Sequence, residues 1–299
     1  MTSRDGTDGM PESRPALNAA AAGTITIGGD LRVSRLGFGA LRILGRGGLG
    51  PPRDRARALT VLRLAVELGI TLIDTADSYG PGVSEELIAE ALHPYPAGLV
   101  IATKGGFIRP GGAWIARGRP AHLREALDGS LRRLRVERID LYQLHTVDPK
   151  VPIDESVGAI AEMQAQGKIR HIGVSNVSVD ELRRAQAATR IVSVQNEYSL
   201  AERESDDVLD VCTREGLAFL PWAPLAGARR GAKALTAALH KVAVAHRATP
   251  AQISLAWLLR RSAAVLPIPG TGSPEHLGEN IAAAGLRLSD GEYQSLTRL

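Results

Sequence analysis

The chain has 299 residues, of which 44% are hydrophobic and only 4% aromatic, and its formal net charge is +4 with a pI near 9.4. This composition provides a core of Ala, Leu, Val and Ile and excludes a disordered chain. The basic residues are not interleaved with the aromatic side chains on which nucleobases stack, so we interpret them as solvated helix faces and expect no nucleic-acid partner.

The sequence also argues against a membrane-spanning protein, a secreted protein and a protein stabilised by disulfides or a cysteine-bound metal. No run approaches the roughly 20 apolar residues that span a bilayer, so no membrane partner is expected. The N-terminus carries Asp5, Asp8 and Glu12 and has no basic segment followed by an apolar core, so we expect no secretory signal and a cytoplasmic location. Cys212 is the only cysteine, which excludes an internal disulfide and a cysteine-rich metal site, and its apolar surroundings predict a buried helix position. We expect no bound metal.

The N-terminal region divides into a tail and a hairpin. Residues 1–20 are polar and then alanine-rich, without a period, and we expect a disordered tail there. Residues 21–299 are expected to form one domain, since an α/β barrel takes roughly 250 residues. The alternating runs Thr24–Ile27 and Leu31–Val33 flank a glycine turn and predict a β-hairpin.

From Leu36 onward, short apolar runs alternate with helical stretches. The predicted strands are Leu36–Gly39, Thr71–Asp74, Leu99–Thr103, Ile139–His145, His171–Ser175, Val192–Asn196, Ala218–Trp222 and Val265–Ile268. Eight strands, each followed by a helix, predict an α/β fold of the (β/α)₈ TIM-barrel type. An open doubly wound sheet is the rival, but the glycine-rich segment 45–50 follows no long strand and opens onto two prolines. We interpret that segment as a mobile loop near the barrel mouth.

Several helices carry start and stop signals. Pro120 at a first helical position is followed by leucines on one face, which predicts an amphipathic helix. Asp154 is the expected cap of the next helix, which Gly167 ends. Ser178 and Glu181 have the spacing of a capping box.

Four protonatable side chains follow consecutive predicted strands. Asp74, Lys104 and His145 lie at the ends of the second, third and fourth strands, and Tyr79 lies five residues beyond Asp74. Each alone could be a helix cap, a surface lysine, a core histidine or a rim aromatic. Because the carboxyl ends of barrel strands share one mouth, we expect the four to converge there as a catalytic group.

This combination of residue types suits the reduction of a carbonyl group. A tyrosine hydroxyl, with a pKa of about 10, is a weak acid at neutral pH, and a neighbouring ammonium is expected to lower that pKa. Asp74 would hold Lys104, and His145 would orient the substrate oxygen. Proton donation from Tyr79 then accompanies the arrival of hydride.

The order of motifs resembles the aldo-keto reductase family over residues 36–280. The stretches that carry the resemblance are Leu36–Gly39, Ile73–Gly80, Ala102–Lys104, Ile139–His145, Gly167–Asn176, Gln195–Tyr198 and Ile268–Gly270. The resemblance implies that Asp74, Tyr79, Lys104 and His145 are the family's catalytic tetrad. It also implies an NADPH-dependent reductase of aldehydes or ketones, with NADH as a possible substitute.

The resemblance further implies a set of cofactor contacts. Ser175, Asn176 and Gln195 would hold the nicotinamide carboxamide, and Trp222 would stack on the nicotinamide face. A helix begun by Ser273 and Pro274 would offer its N–H groups to phosphate. The full expected set is Gly39, Ser175, Asn176, Gln195, Trp222, Pro224, Leu225, Gly270, Thr271, Ser273, His276, Glu279 and Asn280.

Two positions depart from the family's pattern. Gly270 stands where some members carry lysine, and His276 where many carry arginine, so NADPH is expected to be preferred over NADH by less than in those relatives. Substrate-shaping side chains are expected in Phe107, Ile108 and Trp114. The loop from Ala223 to about Gly231 is short, which predicts a less covered cofactor.

Two alternatives from other classes remain open at this point. A cofactor-binding regulatory subunit would turn over slowly while holding a partner protein. A phosphate-binding barrel isomerase would use His145 and Asp74 as acid and base without nicotinamide. The substrate, which the sequence does not name, is expected to be a small carbonyl compound.

Overall fold

Seven parallel strands form the centre of the molecule in a computed structural model that describes residues 17–225 and 233–299. The strands of the described residues, numbered in chain order, are β1 Thr24–Ile27, β2 Leu31–Ser34, β3 Phe38–Gly39, β4 Leu72–Asp74, β5 Val100–Gly105, β6 Phe107–Ile108, β7 Ile115–Ala116, β8 Ile139–Leu144, β9 Ile169–Ser175, β10 Ile191–Gln195 and β11 Ala218–Phe219. The central sheet has the order β11-β10-β9-β8-β5-β4-β3.

The predicted eighth strand, Val265–Ile268, is an extended segment with a single parallel bridge from Val265 to Phe219. Prolines 267 and 269 have no backbone N–H, so a regular ladder cannot form on both sides. The segment still connects the two edges of the sheet: Leu266 N–H donates to Phe219 C=O, and Gly37 N–H donates to Pro267 C=O. The fold is therefore a (β/α)₈ barrel whose eighth position departs from strand geometry.

Helices follow the barrel strands and pack against them through apolar faces. The α-helices of the described residues are α1 Arg55–Glu67, α2 Val83–Leu92, α3 Pro120–Leu134, α4 Ile153–Ala165, α5 Val179–Ala188, α6 Asp206–Glu215, α7 Lys233–His246, α8 Pro250–Arg261, α9 Pro274–Ala282 and α10 Asp290–Thr297. In α3, Leu123, Leu127 and Leu134 are buried on one face, as the leucine spacing predicts.

Two of the predicted caps form and one does not. Ser178 and Glu181 make the capping box of α5. Ser273 caps α9 by accepting from the His276 N–H, with Pro274 at the first position. Asp154 does not cap α4, because the helix begins one residue earlier, after Pro152. Its carboxylate instead pairs with Arg184 on the neighbouring helix.

The predicted hairpin forms and packs into the barrel end opposite the strand C-termini. Ile27, Leu31 and Val33 are buried with inward-facing strand residues such as Leu72 and Leu141. A second, larger cluster fills the space between strands and helices, and Cys212 is buried there as predicted. The hairpin therefore closes the floor of the barrel and leaves the other end for a site.

The structure differs from the predictions for the end of the N-terminal tail and for the glycine-rich segment 45–50. Residues 17–20 were placed in the disordered tail, but Ala19 is fully buried and its N–H donates to Leu68 C=O. The segment 45–50, predicted to be mobile, is bonded to its surroundings through the Gly48 C=O, which accepts from Gly80 N–H at 3.0 Å. Residues 1–16 and the distal part of the loop after Trp222, 226–232, lie outside the described residues.

No helix within the described ranges is long and apolar enough to cross a membrane.

Candidate active site

The residues predicted from strand ends do converge. Asp74 ends β4, Lys104 is the penultimate residue of β5, and His145 directly follows β8. The register pairs Asp74 with Ala102 and Lys104 with Gln143, so these ends lie at the same edge of the barrel. Tyr79 reaches the same mouth from the turn that precedes α2.

The Asp74 carboxylate is the hub of the site. It is 2% exposed and accepts from Lys104 Nζ at 2.7 Å, Gln195 Nε2 at 2.8 Å and Gln143 Nε2 at 3.3 Å. Three donors offset the cost of burying its charge. Sequence reasoning missed Gln143 as a partner; its signal was an amide side chain in β8, two positions before His145.

Lys104 is completely buried and held between two acceptors. Its Nζ donates to Asp74 Oδ2 and, at 2.8 Å, to Thr75 C=O, and it lies 5.2 Å from the centre of the Tyr79 ring. Burial lowers the pKa of Lys104, but Asp74 and Tyr79 outweigh that effect, so the net shift is upward. The ammonium is therefore charged over the physiological range.

The pKa of Tyr79 corrects the sequence-based expectation. Lys104 does lower it, but burial is the larger effect and Asp74 adds to it, so the net pKa of Tyr79 lies above 10. Without a ligand the phenol is protonated, which is the state that a proton donor needs. The Lys104 ammonium therefore reduces the increase in the pKa of Tyr79 that burial causes, but it does not bring that pKa below its usual value.

His145 is neutral, and its ring has a hydrogen-bond partner at Nδ1. Burial, followed by the charges of Lys104 and Arg109, places its pKa well below 6.5. Its Nδ1 lies 3.3 Å from Ser78 Oγ. A hydroxyl that donates to Nδ1 leaves Nε2 protonated, so the ring can donate to an oxygen in the cavity. Sequence reasoning missed Ser78.

A cavity of ≈ 670 Å³ opens beside Tyr79 and His145 and holds most of the predicted residues. Of the predicted substrate-shaping side chains, Phe107 and Trp114 line it, whereas Ile108 pairs with Ile115 in the small β6–β7 hairpin. The predicted cofactor residues that line it are Gly39, Ser175, Asn176, Gln195, Trp222, Pro224, Leu225 and Gly270.

Polar side chains on one wall of the cavity are connected through hydrogen bonds. Trp222 Nε1 donates to Asn176 Oδ1 at 2.9 Å, and Asn176 Nδ2 donates to His145 C=O at 3.0 Å. Ser175 Oγ donates to Gln195 C=O at 2.7 Å. Asn176 has φ of +57°, a conformation that asparagine tolerates better than most residues. These bonds place the Trp222 indole at a defined position in the wall.

The remaining predicted cofactor residues are not part of this cavity lining. Thr271, Ser273, His276, Glu279 and Asn280 lie at and along α9, and Asn280 is buried while His276 is exposed. Arg57 on α1 reaches this end, where its Nη2 lies 3.0 Å from Glu275 Oε2 and its Nε donates to Gly272 C=O. The predicted residues thus fall into two groups, one in the cavity and one at the start of α9 and along it.

Asp77 is another residue that sequence reasoning missed. It lies between Asp74 and Tyr79, its Oδ1 is buried without a hydrogen-bond partner among the described residues, and its N–H donates to Lys104 C=O. Burial, with the nearby Glu85 carboxylate, raises the pKa of Asp77 to about 7. The run Ile73–Gly80, in which Asp77 lies, gave no signal of this burial.

The family model named Aldo/keto reductase family matches residues 35–299, nearly the whole of the described barrel. The chain belongs to the aldo/keto reductase family. It is 46% identical over 283 residues to an uncharacterized oxidoreductase of Schizosaccharomyces pombe, covering 94% of this chain and 91% of the relative. It is 43% identical over 283 residues to the pyridoxine 4-dehydrogenase of Escherichia coli, covering 92% and 98%.

A solved structure agrees with the fold. An aldo/keto reductase from Klebsiella pneumoniae, crystallised with NADP and acetate, has a TM-score of 0.79 and 31% identity, covering 92% of this chain and 94% of its own. Membership in this family makes the chain an oxidoreductase and removes the basis for the isomerase alternative. The regulatory alternative has no support among these relatives.

Proposed function

We propose that this aldo/keto reductase reduces aldehyde or ketone carbonyls to alcohols with NADPH, and that Tyr79 donates the proton. The observation that carries the proposal is the fully buried Lys104, whose ammonium is held by Asp74 and faces the Tyr79 ring at the cavity. A buried cation needs a compelling reason to be retained. Here the ammonium faces a phenol, and a neighbouring positive charge assists the deprotonation of a phenol.

The residues of the cavity wall fit a nicotinamide group. The Gln195 amide nitrogen is used by Asp74, so its amide oxygen is the atom that could accept from a carboxamide, beside the amide of Asn176. Trp222 offers a flat apolar surface in the same wall. A bound nicotinamide would supply the hydride. The NADP of the Klebsiella neighbour supports a phosphorylated dinucleotide.

The chain's own residues would then orient and protonate the carbonyl oxygen of the substrate. Neutral His145 donates a hydrogen bond to the substrate carbonyl and orients it toward Tyr79. As negative charge develops on that oxygen, the Tyr79 proton moves to it, and the phenolate that forms is stabilised by Lys104. Asp74 keeps the ammonium in place through the 2.7 Å bond. When an alcohol is oxidised, the same residues act in the reverse direction, and the Tyr79 phenolate accepts the hydroxyl proton.

The substrate class is suggested by the relatives and the cavity together. The pyridoxine 4-dehydrogenase relative, 43% identical, is named for an alcohol on a flat heteroaromatic ring. Three aromatic rings, Phe107, Trp114 and Tyr79, surround His145 at centroid distances of 4.8, 5.9 and 5.6 Å. Pyridoxal and other ring aldehydes are therefore the first compounds to assay.

The test is NADPH oxidation at 340 nm with pyridoxal, aromatic and aliphatic aldehydes, ketones and quinones. We expect turnover with at least one ring aldehyde and an alcohol product that contains the hydride. Tyr79→Phe should lose about 10²-fold or more in kcat while its dinucleotide Kd stays within about twofold. Turnover in the Phe variant above a tenth of wild type would remove Tyr79 from the role of donor, and no turnover by wild type would refute the function.

A further inference from the structure

The Trp114 indole is an exposed apolar ring placed beside the reacting groups. It is 43% exposed, yet its centre lies 6.2 Å from that of Tyr79 and 5.9 Å from that of His145. It also meets Phe107 edge-to-face at 5.2 Å. A half-exposed indole on a loop would sample several rotamers unless something on its other face restrained it.

Arg109 provides that restraint. Its guanidinium carbon lies 3.6 Å from the centre of the Trp114 ring, and the side chain is only 9% exposed. Nε and Nη2 donate to Gly112 C=O at 3.2 and 3.1 Å. None of the ion pairs among residues 17–225 and 233–299 includes Arg109, so the contacts that hold it are an aromatic face and backbone carbonyls.

Arg109 also joins two loops of the barrel mouth. Its Nη2 donates to Gly47 C=O at 3.2 Å, in the glycine-rich segment 45–50. That segment is bonded in turn to Gly80, next to Tyr79, through the Gly48 carbonyl. The stack therefore ties the loop after β5 to the same framework that carries the proton donor.

We propose that Arg109 is a positioning residue that fixes Trp114 as a rigid wall of the substrate site, and that this wall selects carbonyl compounds on flat rings over short aliphatic ones. The inference rests on the proposed carbonyl-reductase function. A planar guanidinium can stack on the indole and donate to Gly47 and Gly112 at once, whereas a lysine ammonium cannot do both. The segment 45–50 would then help to anchor Arg109, because the Gly47 C=O accepts from its guanidinium.

The test compares Arg109→Lys, Trp114→Leu and the double variant, with benzaldehyde and propanal as substrates. The lysine variant keeps the positive charge that faces Tyr79 and His145, so a change in their ionisation is not the cause of any effect. Arg117→Lys, exposed and on the same loop, is the matched control. Dinucleotide Kd is measured for every protein.

We expect Arg109→Lys to raise KM for benzaldehyde by about 5- to 10-fold, with kcat, the propanal KM and the dinucleotide Kd each within about twofold. Trp114→Leu should raise the benzaldehyde KM at least as much, and the double variant should be no worse than Trp114→Leu alone. Equal KM changes for both aldehydes, no change, or additive losses in the double variant would overturn the inference. If wild type reduces neither aldehyde nor any other carbonyl, the proposed function itself fails, which is a different outcome.

Discussion

Lys104 connects three groups that each depend on the others. Its Nζ donates to the Asp74 carboxylate and to the Thr75 C=O and faces the Tyr79 ring, and all of these contacts are buried at the barrel mouth. A residue so placed acts as part of a unit, and its removal has consequences for both stability and chemistry.

We expect Lys104→Met to lose about 10²- to 10⁴-fold in kcat, as much as Tyr79→Phe, because the phenolate loses its counter-charge. Since the two residues act as one unit, the double variant should be no more than about tenfold slower than either single variant. The measurement is kcat for the three variants. Denaturant unfolding provides the control, because the Asp74 carboxylate loses its charged partner in the methionine variant. Multiplicative losses would contradict the coupling.

Trp222 lines the cavity, and we propose that its indole stacks on the nicotinamide. We expect Trp222→Ala to raise the dinucleotide Kd about fivefold, the loss of a stacking surface worth on the order of 1 kcal/mol. Fluorescence titration with NADPH measures it, and Trp257→Phe is the control because Trp257 is buried in the core. An unchanged Kd would mean that Trp222 serves only to hold Asn176.

Asp77 predicts a pH dependence of stability. Its folded pKa of about 7 exceeds the roughly 3.9 of an unfolded aspartate, so the folded state binds the extra proton between these values. The contribution of Asp77 to stability is therefore present below about pH 4 and is lost as pH rises to about 7. We expect Asp77→Asn to unfold with nearly the wild-type free energy at pH 4 and to exceed it by on the order of 4 kcal/mol at pH 8.

Urea unfolding of both proteins from pH 4 to 8 measures this difference. Glu85→Gln is not a suitable control, because Glu85 also pairs with Arg133. Asp180→Asn, exposed in the first turn of α5, should show no comparable trend. A difference that does not change with pH would show that Asp77 is ionised in the folded state throughout.

At the scale of elements, the N-terminal end of α9 combines features that favour and oppose an anion. Ser273 leaves other N–H groups of the first turn available, and a helix N-terminus attracts negative charge. Glu275 lies in that same turn, where its carboxylate accepts from Arg57 and Ser273, and its pKa is lowered chiefly by the Ser273 hydrogen bond. It therefore carries negative charge at the helix end where we expect the 2′-phosphate of NADPH.

We expect Glu275→Gln to lower the NADPH Kd by about two- to fivefold and to leave the NADH Kd unchanged, because only NADPH carries the 2′-phosphate. His276→Gln, one residue along and exposed, should raise the NADPH Kd without affecting NADH. Titrations of all three proteins at low ionic strength provide the measurement. Equal changes for both dinucleotides would place the phosphate elsewhere.

At the scale of the whole molecule, the hairpin closes one barrel end while the chemistry occupies the other. Asp30, in the hairpin turn, pairs with Arg170 and His171 at the start of β9, whereas His145 and Gln195 follow or end their strands. We therefore expect substitutions in the hairpin end of the barrel to change stability without changing the reaction at the mouth.

We expect Ile27→Ala to lower the free energy of unfolding by about 2–4 kcal/mol, because Ile27 is 1% exposed and its truncation leaves a cavity in the barrel core. The kcat of the folded enzyme should stay within about twofold of wild type. Thr26→Ala, exposed on the other face of the same strand, is the control and should change stability by less than about 0.5 kcal/mol. A large loss of kcat in folded Ile27→Ala would show that the two ends are coupled.

The sequence by itself determined the barrel, the hairpin and the meeting of Asp74, Tyr79, Lys104 and His145 at one mouth. Alternating apolar runs and helix caps are local signals, and parallel strands place their carboxyl ends together whatever the details of packing. The family resemblance rested on the same local motifs.

Only the tertiary structure decided the properties that depend on neighbours distant in the chain. The raised pKa of Tyr79 and the burial of Asp77 each follow from surroundings that no local pattern encodes. The stack of Arg109 on Trp114 and its bond to Gly47 join residues up to 67 positions apart. Desolvation and long-range contacts depend on which surfaces the closed barrel brings together. They are therefore defined only in the folded protein and cannot be read from local sequence patterns.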